Sequence, residues 1–209
     1  MPELLVINVS PRNDRSISRK LTTRFVEHWA ASCPDGRVVV RDLSSTSVPY
    51  IDAAWIMGAY SPPDLHSPES AAAMKISGEL IAELQSADFV LFGTPMHNLT
   101  IPATLKAYID YIVRVGMTVS AKNEGLLTNK RAAIVLASGG DFSPGSPTER
   151  YDFASPYLRA VLGFIGITDV QFVRAGPTRP VAEGSVDTDA FMDRFDGEMH
   201  AITKSWTSG

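Results

Sequence analysis

Asp88-Phe89-Val90-Leu91-Phe92-Gly93-Thr94-Pro95-Met96-His97-Asn98-Leu99-Thr100-Ile101-Pro102-Ala103 decides how this chain is read. Phe89 to Phe92 is a short unbroken apolar run, the mark of a strand buried on both faces. The residues from Gly93 to Ala103 are small, Pro-rich and amide-bearing, and from Leu105 to Val115 apolar residues return at helical spacing. A buried strand that passes through such a loop into a helix presents backbone N–H and C=O groups at its carboxyl end. Open α/β sheets hold planar ligands at that edge.

The same alternation extends in both directions. Leu4 to Val9 reads as a strand, and Ser16 to Ala31 as a helix with Leu21, Phe25, Val26 and Trp29 on one face. Arg37 to Asp42 reads as a second strand after the Pro34-Asp35-Gly36 turn. Ala71 to Gln85 is expected to be helical, with Ile76, Leu80, Ile81 and Leu84 as its apolar stripe. Ala132 to Ala137 and Val170 to Val173 complete the strands, with further helices near Pro102 to Val115, Ser155 to Gly163 and Asp187 to Ser205. Five short apolar strands separated by helices predict a parallel sheet with right-handed crossovers, covered on both faces. The expected fold is therefore α/β and flavodoxin-like, doubly wound, with strand order 2-1-3-4-5 and a Rossmann order as the alternative. Leu43 to Glu69 carries four prolines among Tyr50, Trp55 and Tyr60, and is expected as a long irregular excursion. It reads either as a pocket wall or subunit contact, or as a plain surface excursion.

At 209 residues the chain is expected to form one domain, residues 1–209. A net charge of −4 supplies no basic field, which argues against nucleic acid as a partner. Cys33 is the only cysteine, so no intramolecular disulfide or thiolate metal cluster can form. The apolar run at the N-terminus is short and has no basic flank, and no run reaches membrane-spanning length. A cytoplasmic location without membrane contact is the expectation. The histidines His28, His66, His97 and His200 are scattered, and neither a metal site nor a catalytic triad is expected.

Three loops fall at one edge of the expected sheet. Strand one ends in Ser10-Pro11-Arg12-Asn13-Asp14-Arg15-Ser16-Ile17-Ser18, which clusters hydroxyls where a helix begins. Unpaired N–H groups and the partial positive charge at a helix N-terminus favour a phosphate, with Arg12 or Arg15 as added charge. The loop has neither Gly-Lys-Ser/Thr nor Gly-x-Gly-x-x-Gly, and its bland reading is a Ser16 helix cap followed by a solvated turn. Strand three ends in Pro95, Met96, His97, Asn98 and Leu99, on whose backbone a flat ring can rest, although Asn98 also suits a helix cap or turn. Strand four ends in Ala137, Ser138, Gly139 and Gly140, where paired glycines admit either close approach to a ligand or an ordinary turn. In a 2-1-3-4-5 sheet these three strand ends meet at the switch point. A phosphate site beside two ring-contacting loops describes a mononucleotide with a flat heterocycle, and flavin mononucleotide (FMN) has that shape.

The sequence resembles the flavin-dependent NADH azoreductase/quinone reductase family. The matches are Ser10 with Ser16-x-Ser18, Pro95-Met96-His97-Asn98, Leu105-Lys106-x-Tyr108-x-Asp110, Gly139-Gly140 and the run Tyr157 to Val170. The resemblance implies a flavodoxin-like homodimer with FMN held by Ser10, Ser16, Ile17 and Ser18 at the phosphate and by Met96, His97, Asn98 and Leu99 at the ring. Ala137, Ser138, Gly139 and Gly140 would form the third loop. It also implies ping-pong turnover, in which NADH (or NADPH) reduces the flavin and the flavin reduces quinones or cleaves aromatic azo compounds to amines. No residue is then an obligate acid or base, and His97 is the one candidate for donating a proton or hydrogen bond to the acceptor. The family commonly has Tyr and Phe where His97 and Leu99 stand, Ser-Arg-Gly-Gly for the third loop, and an aromatic shortly after Gly116-Met117-Thr118. The alternatives are a flavodoxin-type electron carrier without its own NADH turnover, and a quinone reductase preferring FAD or NADPH. A phosphoester hydrolase is a third, weakened by the lack of a Cys-x5-Arg loop.

Overall fold

In the computed structural model, which describes residues 1–46 and 48–207, five strands form one all-parallel sheet in the order β2-β1-β3-β4-β5. They are β1 (Glu3–Asn8), β2 (Arg37–Asp42), β3 (Phe89–Pro95), β4 (Arg131–Ala137) and β5 (Asp169–Ala175). β3 runs to Pro95, beyond the apolar run, because its register with β4 continues through Pro95 opposite Ala137. β2 is one of the two edge strands, with Val38 and Val40 exposed on one face and Val39 turned to the core on the other.

Side-chain alternation along the strands builds two cores. Leu4, Val6, Leu91, Val135 and Val173 meet α1 (Ile17–Ser32) through Leu21, Phe25 and Trp29. The C-terminal helices α7 (Thr188–Asp193) and α8 (Asp196–Thr207) close the same face with Phe191, Met199, Ile202 and Trp206. On the opposite face Leu5, Ile7, Val90, Phe92, Ile134 and Phe172 pack against four helices. These are α2 (Ala53–Tyr60), α3 (Pro68–Ser86), α4 (Ala103–Ile112) and α5 (Ala154–Phe164). A single turn of helix, α6 (Arg179–Ala182), follows β5.

The expected excursion at Leu43 to Glu69 is more ordered than read. Asp52 accepts from the Trp55 amide at 2.8 Å and caps α2, and Trp55 is buried in the core. Gly58 is the contact with α3, since a Cβ there would lie 2.8 Å from Met74 Cγ. Ser67 caps α3, and Pro68 occupies its first position, where a missing N–H costs nothing. The helix expected from Asp187 to Ser205 is instead two, broken at Arg194 and Phe195.

Candidate functional site

The carboxyl ends of β1, β3 and β4 open onto a cavity of about 220 Å³. Ser10, Ser16, Ile17 and Ser18 line it from the first loop, Pro95, Met96 and His97 from the second, and Ala137 and Gly139 from the third. Pro11, Arg12 and Thr178 complete the wall, and Arg12 is the only charged residue in it. A larger depression of about 750 Å³ lies at the opposite, amino edge of the sheet, around Pro2, Asp88, Arg131 and Trp206. Its lining includes the carboxylates of Asp35 and Asp88, which the cavity at the carboxyl edge lacks.

The phosphate-side geometry follows from the start of α1. Ser16 is the N-cap, its Oγ accepting from the Arg19 amide at 3.4 Å, and it lies 3.1 Å from Ser18 Oγ. Both readings of Ser16, cap and cavity wall, therefore hold together. The first-turn amides of Ile17 and Ser18 have no acceptor within the helix. Ser10, Ser16 and Ser18 are buried, so this end of the cavity concentrates neutral donors with no carboxylate among the lining residues.

Arg19 sets the position of that loop and went unread in the sequence. Its Nε donates to the Ser10 carbonyl at 2.7 Å, while the two terminal nitrogens donate to Asp42 at 2.8 and 2.7 Å. No spacing signal links a helix arginine to the end of a neighbouring strand. The Arg19 hydrogen bonds, with those from Ser44, lower the Asp42 carboxyl from 3.8 to about 2. The folded state thus gains from the ionised form above pH 4, and the gain fades as pH falls through the unfolded value toward the folded one. Asp42→Asn is expected to lower stability by about 1–2 kcal/mol at pH 5, the partial exposure of the pair being allowed for. In denaturant titrations the gap between wild type and variant should close near pH 2.

The second loop is a two-residue turn. His97 and Thr100 exchange backbone hydrogen bonds at 2.8 and 3.1 Å, with Asn98 at φ +47° and Leu99 at φ +72° between them. Two consecutive positive φ values define the primed hairpin turn. Asn98 is thus a turn residue and not the helix cap, a position held by Pro102. Leu99 is strained in the left-handed region, and its carbonyl accepts from Phe153 at 3.0 Å. Asn98 and Leu99 project beyond the residues lining the cavity, whereas Met96 and His97 are part of it.

In the third loop Ser138 turns away, its Oγ donating to the Gly140 carbonyl at 2.8 Å. Its own carbonyl accepts from Thr178 at 2.9 and 3.1 Å. Gly176 permits this packing, because a Cβ there would sit 2.6 Å from Ser138 Oγ. Ser138 and Gly140 shape the loop, and Gly139 faces the cavity, where an added Cβ would meet nothing within 4 Å. The loop after β5, source of Gly176 and Thr178, carried no recognisable motif in the sequence.

Beyond Pro11 and His97, which line both spaces, a second cleft of about 510 Å³ extends over Val9, Leu43, Val48, Tyr50 and Pro102. The segment after Gly116 lines neither space. It follows the C-terminal end of α4, and Gln85 near the end of α3 donates to the Met117 carbonyl at 3.3 Å. Among the described residues no group of three or more His, Cys, Asp or Glu is placed to hold a metal.

Hydroxyl and amide donors at one end, and uncharged loop backbone at the other, suit a mononucleotide at the switch point of a flavodoxin-like sheet. Residues 2–197 match the family model described as flavodoxin-like fold. An FMN-dependent NADH:quinone oxidoreductase of Nostoc punctiforme is 49% identical over 207 residues, covering 98% of this chain and 100% of that protein. One from Jannaschia sp. is 43% identical, with 98% and 100% covered. The azoreductase structure from Bacillus anthracis str. Sterne aligns with a TM-score of 0.86 at 27% identity, covering 98% of this chain and 100% of that one. The chain belongs to the flavodoxin-like family, among the FMN-dependent NADH:quinone oxidoreductases.

Proposed function

We propose that this protein is an FMN-dependent NADH:quinone oxidoreductase that also cleaves aromatic azo compounds to amines, with residues 1–209 acting as one flavodoxin-like FMN-binding domain. The observation that carries the reading is the convergence of Ser10, Ser16, Ile17, Ser18, Met96, His97 and Gly139 on one cavity. The donor set fits FMN. Neutral hydroxyls and first-turn amides suit a phosphate without a competing carboxylate, and the open position at Gly139 leaves room for a ring. Pro95, Asn98, Leu99, Ala137, Ser138 and Gly140 are proposed to complete the binding loops.

When bound, FMN supplies a two-electron carrier that takes hydride from NADH and passes it to an acceptor in a second, ping-pong half-reaction, twice over for an azo bond. The protein's own work is placement. Ser10, Ser16 and Ser18 hold the phosphate end, and the Met96–His97 backbone supports the ring end. The apolar cleft past His97, with Tyr50 on its wall, is where a flat quinone or azo compound would lie. His97 is exposed and borders both spaces, so it is placed to donate a hydrogen bond to the acceptor. His97→Ala should lower kcat/KM for a quinone by about tenfold with less effect on FMN content. Full turnover of His97→Ala and His97→Tyr across the pH range would remove this role.

NADH is the proposed donor, with NADPH as the alternative, and the cytoplasm, where such donors are held, the proposed location. No described helix is long and apolar enough to cross a membrane. A homodimer is proposed on the exposed apolar residues Tyr50, Ile51, Ile56, Met57 and Tyr60 on and before α2. Met57→Asp should shift the chain from dimer to monomer in sedimentation velocity, and a wild-type monomer would refute the assembly. Steady-state reduction of a quinone and of an azo dye, each with NADH and NADPH, tests the activity itself. Turnover of the quinone but not the dye would restrict the substrate class to quinones. An NADH-inert flavoprotein would revive the electron-carrier reading.

A further inference from the structure

The wall of the proposed flavin cavity carries one charge, Arg12 on the phosphate-side loop, and none at the ring end. Behind Met96, which lines both, lies a small space of about 10 Å³ bounded by Leu136, Ser138, Asp152 and Arg174. It has room for one water at most, so little solvent separates its charges from the ring-side loops.

Arg174 reaches this space from β5, at a position paired with Leu136 of β4, and its guanidinium carbon lies 4.8 Å from the Phe172 ring centroid. Its Nε is buried without a hydrogen-bond partner among the described residues, and Asp152 Oδ2 is 4.0 Å away. The other oxygen, Oδ1, accepts from the Ser155 amide at 2.8 Å at the start of α5. Phe153, the next residue, donates its amide to the Leu99 carbonyl at 3.0 Å. The carboxylate is thus fixed both to α5 and to the turn at the ring end. Asp141, also on this space, and Glu198, which feels the Arg174 charge from α8, are exposed and screened by water. Arg174 and Asp152, at 32% and 8% exposure, are the less screened pair.

We propose that the Arg174–Asp152 pair sets the reduction potential of the bound flavin, a role that rests on the flavin site proposed above. Hydride transfer adds one negative charge to the ring, which the guanidinium favours and the carboxylate opposes. Removing either charge leaves the other uncompensated, so two substitutions at one pair act in opposite directions.

The test is the midpoint potential of FMN in the full-length protein, read by anaerobic titration against a reference dye. Asp152→Asn keeps an oxygen for the α5 amide and should raise the potential by about 30 mV, a tenfold change in the two-electron equilibrium. Arg174→Leu should lower it by a similar amount, and the double variant should return close to wild type. Arg159→Leu is the control. Its guanidinium carbon lies 5.0 Å from the same Phe172 ring centroid but lines neither space, so its loss should leave the potential unchanged. A purely structural role would move both single variants the same way or neither, and either result would overturn the proposal. Should Arg174→Leu fail to fold, Asp152→Asn decides alone, an unchanged or lowered potential refuting the role. A wild type that takes up no FMN refutes the flavin site itself, whereas a bound flavin indifferent to both charges refutes only the pair.

Discussion

Ser16→Asp is expected to abolish FMN retention while leaving the fold intact. Ser16 caps α1 and lines the phosphate end of the cavity, so the two roles can be separated by charge. Aspartate is as good an N-cap as serine, and a carboxylate is favoured by the dipole at a helix N-terminus. Stability should therefore stay within about 0.5 kcal/mol of wild type. The same carboxylate repels a phosphate dianion and consumes the amide donors it needs. FMN affinity should fall by roughly a thousandfold, about 4 kcal/mol, at low salt. Ser16→Ala gives the opposite split, losing about 1 kcal/mol of helix stability and only a modest part of the flavin affinity. Equilibrium dialysis beside urea unfolding reads both quantities, and retained FMN in Ser16→Asp would refute the phosphate assignment.

Gly139→Leu is the complementary experiment at the ring end. A Cβ at this position meets nothing in the protein within 4 Å, so the substituted chain should fold with an unchanged thermal midpoint when flavin-free. The added side chain stands at the cavity wall, where the proposed ring must approach the backbone. Loss of FMN affinity by about a hundredfold or more is expected, with no thermal gain on adding FMN. Gly176→Ala is the control, since its Cβ would strike Ser138 Oγ at 2.6 Å and disturb the loop itself. If Gly139→Leu binds FMN like wild type, the third loop does not contact the cofactor.

The sheet was legible because its central strands are unbroken apolar runs. β1, β3 and β4 are buried on both faces, each with at least five consecutive buried residues. The edge strand β2 was found for a different reason, its β-branched run following a Pro-Asp-Gly turn, although Val38 and Val40 are exposed. What failed were elements whose limits leave no periodic trace. Phe191, Met192, Phe195, Met199, Ile202 and Trp206 keep helical spacing straight through the break at Arg194–Phe195, so the pattern reads as one helix. In α2, Gly58 and the flanking prolines look like helix breakers, yet Gly58 is where α3 approaches closely.

The site was legible in the same partial way. Hydroxyls gathered at a helix start, and a Pro-Met-His-Asn loop after a buried strand, are local patterns with a local physical meaning. Arg19, Gly176 and Thr178 are not, because each depends on a partner distant in sequence: Arg19 on Asp42, and the other two on Ser138. Asn98 shows the limit within a recognised loop. Its residue type permits a cap, a turn or a ligand contact, and only the paired His97–Thr100 backbone decides for the turn.

The most direct test of the account is a visible spectrum of the purified protein, followed by anaerobic titration with NADH and then with a quinone. A stoichiometric FMN spectrum, bleached by NADH and restored by the quinone with no other protein present, is the expected result. A colourless protein that cannot be reconstituted with FMN would contradict the site. A flavin that NADH leaves oxidised would contradict the enzyme.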